Sequence, residues 1–68
     1  MGKLESICAG VNTLLFCRNI EGVLLDPGKV VLPEEYKGWV VEKAVYDPEN
    51  DKIYVQVRYS NIVGVVVL

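Results

Sequence analysis

The chain has 68 residues, 51% of them hydrophobic, and a formal net charge of −2. That length allows a single domain, residues 1–68, and so much hydrophobicity with so little charge excludes intrinsic disorder. No basic run or basic–aromatic interleaving is present, so the electrostatic footprint of a nucleic-acid binder is missing; the eight acids from Glu21 to Asp51, against three lysines, read as solvated turns.

The opening MGKLES fits the loose pattern for myristoylation at Gly2, a match expected to be accidental. The uncharged run ICAGVNTLLFC follows Lys3 and Glu5 much as a signal peptide's apolar part would, but it lacks a small-x-small cleavage site. It is also far short of the ~20 residues a membrane-spanning helix needs. A soluble cytoplasmic protein with no membrane partner is expected. Leu4, Ile7, Cys8, Val11 and Leu15 fall at helical spacing, while Gly10, Asn12 and Thr13 interrupt it. This predicts a short helix or irregular turn over residues 3–9. Cys8 and Cys17 are too few for a disulfide framework and, with no histidine in the chain, make a poor zinc set. Two readings stay open for them: a single bridge, or two thiols acting as small hydrophobes.

A strand is predicted over 13–20, then a turn at NIEG, then short strands at 22–26 and 29–32 around Asp26-Pro27-Gly28. In LPEEYKG, Pro33, Glu34, Glu35 and Gly38 suit one helical or 3-10 turn near 33–37. The clearest unit is KGWVVEKAVYDPENDKIYVQVRYS, a hairpin of strands 39–46 and 52–59. It turns at Asp47-Pro48-Glu49-Asn50, with Asn50 in the left-handed conformation. The implied register sets Val45 opposite Ile53, Lys43 opposite Val55, Val41 opposite Val57 and Trp39 opposite Tyr59. Ala44, Tyr54 and Arg58 fall on the other face, and Lys43 is the one charge facing inward. The last segment, IVGVVVL over 62–68, is apolar on both alternating sets. Such a strand needs cover on two sides, where a one-faced sheet needs one. One cover is the barrel interior; the other is the N-terminal segment or, as preferred here, a second protein molecule.

Short strands separated by turn signals predict an all-β fold, a small five- to six-stranded barrel or barrel-like sheet, SH3-like or OB-like. GKVVLPEEYKGWVV and the later IYVQV resemble the KOW element of SH3-like barrels in ribosomal and transcription-elongation proteins. Gly28, Val30, Lys37, Gly38, Val41 and Val57 stand at the matching positions. That resemblance implies a nucleic-acid-associated module, although the glycine usual shortly after the Lys-Gly pair is missing. GKVVLPEEYKG also resembles the strand–Pro–helix entry of AbrB-like swapped-hairpin DNA binders, whose longer helix Gly38 and Trp39 cut short here.

Without histidine, Cys–His and Ser–His nucleophile pairings are ruled out. Ser6, Ser60 and Thr13 stand in no nucleophile motif, and Gly28 belongs to no phosphate-cradling loop. Asp47, Glu49 and Asp51 lack the twelve-residue calcium loop and its terminal bidentate Glu. The chain reads as a non-enzyme, with no catalytic, cofactor-binding or metal-ligating residue assigned and no cofactor expected. The expected function is a non-catalytic binding or structural module that self-associates as a homo-oligomer, with a protein partner as a further possibility. Its interaction surface is placed at Tyr54, Arg58, Val63, Val65 and Val67. Exposed Tyr beside Arg suits a protein interface. It also suits base stacking, which leaves a nucleic-acid-associated SH3-like (KOW-like) module as the alternative.

Overall fold

A computed structural model of the protein describes residues 3–11 and 14–68. Gly2 of the myristoylation pattern and Thr13, the expected start of a strand, lie outside the described residues. Among the described residues the chain forms five strands: β1 (Lys3–Val11), β2 (Leu14–Leu25), β3 (Val40–Asp47), β4 (Lys52–Tyr59) and β5 (Ile62–Val67). All neighbours are antiparallel and follow chain order. β5 returns to β1 through Gly10–Val63 and Val11–Ile62, which closes a small all-β barrel.

The N-terminal segment is a strand, which corrects the helix or turn expected over residues 3–9. Every residue of β1 has a partner on β2, from Lys3–Gly22 to Val11–Leu14. The ladder wins because a helix of this length is marginal in water. Alternation also sets Ile7 inward, 1% exposed, while Ser6 on the other face donates to Asn19 Oδ1 at 2.6 Å. The turn expected at NIEG is absent as well, and β2 runs straight through it. Gly22 is there for a different reason: a Cβ at that position would collide with the Tyr46 carbonyl of β3. A glycine in a strand marks close backbone approach as readily as it marks a turn. The strand expected at 29–32 is absent: a 3-10 turn, Pro27–Lys29, in which Asp26 Oδ1 accepts from the Gly28 N–H at 3.0 Å, runs into residues 30–32, which join no ladder. The helical turn expected near 33–37 is present as a second 3-10 turn, Glu34–Tyr36, and Gly38 beyond it has φ 92°.

The β3–β4 hairpin carries the predicted register only at its far end, where Val40 pairs with Arg58 and Val41 with Val57. Between Val41 and Lys43 the register shifts, so Lys43 pairs with Gln56, Ala44 with Val55 and Val45 with Tyr54. The extra residue, Glu42, is a β-bulge. It resolves the inward lysine: Lys43 leaves the Val55 face and pairs with Glu5 of β1, Nζ to Oε2 2.9 Å. The loop is one residue longer than expected, Pro48 to Asp51, and Asp51 at φ 53° takes the left-handed position assigned to Asn50.

The β3–β4–β5 sheet is covered on both faces. On one, Ala44, Val55, Val57 and Val66 pack beneath Val30, Leu32, Tyr36 and Trp39 of the 26–39 connection. There Trp39 lies against Tyr59, ring centroids 5.3 Å apart. On the other, Val45 packs with Ile7 of β1 and Ile20 of β2, and Tyr54 and Val65 lean on this cluster. The two alternating sets of β5 are thus divided between two covers from the same chain. The cover expected from a second molecule is supplied at Val65 by the β1–β2 ribbon.

Candidate functional site

The ribbon covers the sheet with one face only, and much of its apolar surface remains in water. Residues 14–22 of β2 pair with β1 along one edge, while pairing to β3 begins only at Val23. The second edge of this stretch is therefore unpaired among the described residues. It carries Leu14, Leu15 and Phe16, which are 78, 57 and 62% exposed, beside Val11 on β1 at 56%. Cys8 and Cys17 face each other across the ladder and are bridged, which settles the two readings in favour of the disulfide. Cys17 is exposed, so its surroundings are not the apolar interior that two free thiols would have favoured.

Between the ribbon and the β3–β4–β5 sheet lies a cleft of about 240 Å³. Ile7, Ala9, Phe16 and Ile20 form the ribbon wall, and Tyr54 of β4 with Val65 and Val67 of β5 forms the sheet wall. Among the described residues, Arg18 is the only charged side chain lining it. Three of the five residues expected to interact, Tyr54, Val65 and Val67, thus converge here. Arg58 does not join them: its Nε donates to Glu42 Oε2 at 2.8 Å, and Glu42 Oε1 accepts from Gln56 at 3.2 Å. These bonds, that from Arg58 above all, hold the Glu42 carboxyl below its ordinary pKa. Val63 is 8% exposed and sits at the closing seam opposite Gly10, so it offers no surface. Sequence reasoning missed Phe16 and Arg18. Their period-two spacing with Ile20, inside the strand expected over 13–20, was the available signal; with residues 3–9 read as helix or turn, no partner strand showed which face they share with Ile7 and Ala9.

The Asp47 and Asp51 carboxylates at the β3–β4 loop are occupied locally. Asp47 accepts from the Glu49 and Asn50 N–H groups and from Asn50 Nδ2 (3.0, 3.3 and 2.9 Å). The Asn50 side chain chiefly holds the Asp47 carboxyl below its usual pKa. Asp51 accepts from the Tyr46 hydroxyl at 2.7 Å, which raises the tyrosine's pKa. A second apolar recess of about 460 Å³ lies beside the 26–39 connection, lined by Leu25, Val30, Val31, Ile53 and Leu68, with Asp26 and Lys29 as its charges. Their opposite signs give it no charge preference. No helix among the described residues is long and apolar enough to cross a membrane. No protein-family model matches the chain, and neither does any curated protein or solved structure.

Proposed function

We propose that this protein is a non-catalytic binding or structural module that self-associates through the β1–β2 ribbon. The observation that carries this reading is the unpaired edge of β2 at Leu14, Leu15 and Phe16. Proteins usually blunt a free edge with lysine, proline or a covering segment. Among the described residues this edge has none of these from Leu14 to Cys17, and it is apolar. Two such edges can pair antiparallel about a two-fold axis, a self-complementary contact that satisfies the free N–H and C=O groups and buries both apolar rows. The Cys8–Cys17 bridge stiffens the ribbon for that role. A bridge that persists needs oxidising surroundings, so it weighs against the cytoplasmic setting expected from the sequence.

Sedimentation over a range of protein concentrations tests the reading. The wild type is expected to pass from monomer to dimer, and Leu14→Lys to stay monomeric with an unchanged circular dichroism spectrum. A wild-type protein that stays monomeric to about 1 mM, the weak end of measurable association, would refute it.

A further inference from the structure

The cleft beneath the ribbon has a property that self-association does not use. Its walls are apolar on both sides, and its single charge, Arg18, has no ion pair or hydrogen-bond partner among the described residues. The Tyr54 hydroxyl at the same cleft is equally uncommitted among them. An apolar recess with a few convergent polar groups is the usual form of a small-molecule site. A guanidinium prefers a planar anion that can accept two parallel N–H bonds. We propose that the cleft binds a small apolar monocarboxylate, with its tail between Phe16 and Val65 and its carboxylate on Arg18 and Tyr54.

Size and charge narrow the class. A cleft of about 240 Å³ falls at the small end of ligand pockets, which run from about 300 Å³ upward for drug-sized molecules, so a short-chain acid such as octanoate is the fitting probe. Arg18 and Tyr54 also border a polar recess containing Glu21, Asp47 and Glu49. Those acids repel a carboxylate from their side, so the headgroup stays on the cleft side of Arg18. The recess cannot be counted as a cation site, because Asp47 is already engaged by its own loop.

Two-dimensional amide NMR of the whole protein, titrated separately with octanoate, octanol and octylammonium, tests this. Sedimentation of each sample reports its association state, so failure of the cleft reading and failure of the ribbon reading are read separately. Octanoate is expected to give saturable shifts at Ile7, Phe16, Tyr54 and Val65, with octylammonium at least tenfold weaker. Arg18→Gln is expected to bring octanoate down to the level of octanol, and Arg18→Lys to retain part of the preference. Arg18 is exposed, so these variants fold. The proposal is overturned by non-saturable octanoate shifts, by octylammonium binding as well as octanoate, by shifts centred on Val30 and Leu68, or by an unaffected preference in Arg18→Gln.

Discussion

The β3–β4–β5 sheet and the β1–β2 ribbon are built from similar apolar residues and use them in opposite ways. In the sheet, Ala44, Val45, Val55 and Val57 are at most 1% exposed, because the ribbon and the 26–39 connection press on its two faces. In the ribbon only Ile7 and Ile20 are buried among the large side chains, while Leu4, Val11, Leu14, Leu15 and Phe16 stand in water. The apolar excess in the composition therefore lies mostly on the ribbon, with Val31, Val40, Tyr59, Val67 and Leu68 as the exposed apolar residues elsewhere. A 68-residue domain has little interior, and here the interior is filled before the apolar side chains run out.

The largest expected effect separates the two regions directly. Val66→Lys places a charge where the native side chain is 6% exposed, between β5 and the 26–39 connection. An unpaired buried charge costs several kcal/mol, comparable with the ~5 kcal/mol at the low end of domain stability. The variant is expected to be unfolded by circular dichroism. Leu14→Lys, at 78% exposure, is expected to shift stability by less than about 0.5 kcal/mol. Similar losses for both would break the distinction between sheet and ribbon.

Next in size is the ribbon's own staple. The Cys8–Cys17 bridge closes a loop with sequence separation 9, and chain entropy assigns a loop of that size about 2–3 kcal/mol. Reduction, or Cys8→Ser with Cys17→Ser, is expected to lower the unfolding free energy by that amount, read as a lower denaturation midpoint. An unchanged midpoint would mean that the ribbon needs no staple. The two glycines come third. Gly22→Ala collides with the Tyr46 carbonyl, whereas a Cβ at Gly64 meets nothing within 4 Å. The first is expected to cost about 1–3 kcal/mol, and the second to be neutral within about 0.5 kcal/mol.

What was legible in the sequence follows the same division. The β4 strand, the helical turn near 33–37 and the need of β5 for two covers could be read, because alternation and turn residues act locally. The bulge at Glu42 could not: it turns Lys43 toward Glu5 on a strand nearly forty residues away, and no local residue pattern signals it. The β1 half of the ribbon was missed for a related reason, although a strand was expected over 13–20 in β2. Leu4, Ile7, Cys8, Val11 and Leu15 satisfy a helical period by coincidence, and only pairing with β2 decides against it. Of the expected interaction surface, Tyr54, Val65 and Val67 share the cleft because they alternate along paired strands. Arg58 leaves it because the bulge supplies Glu42 as a partner.

The smallest expected effect lies in the β3–β4 loop and sharpens how the sheet is closed. Asn50 donates through its side chain to Asp47, whereas Glu49 contributes only its backbone N–H. Asn50→Ala is thus expected to lower the melting temperature by a few degrees, since ~1 kcal/mol shifts a domain of this size by about 4–8 °C, and Glu49→Ala to leave it nearly unchanged. The reason is the Asn50 side chain, not a left-handed backbone, because the positive φ belongs to Asp51. The pH dependence tells these causes apart. Asp47 has a folded pKa below its ordinary 3.8, so its contribution is present above that value and is lost as pH falls through the depressed folded pKa. The gap between wild type and Asn50→Ala is therefore expected at pH 7 and should narrow as pH falls from 3.8 through the depressed folded pKa. A gap that stays constant across that range would assign the cost to backbone conformation and remove Asp47 from the account.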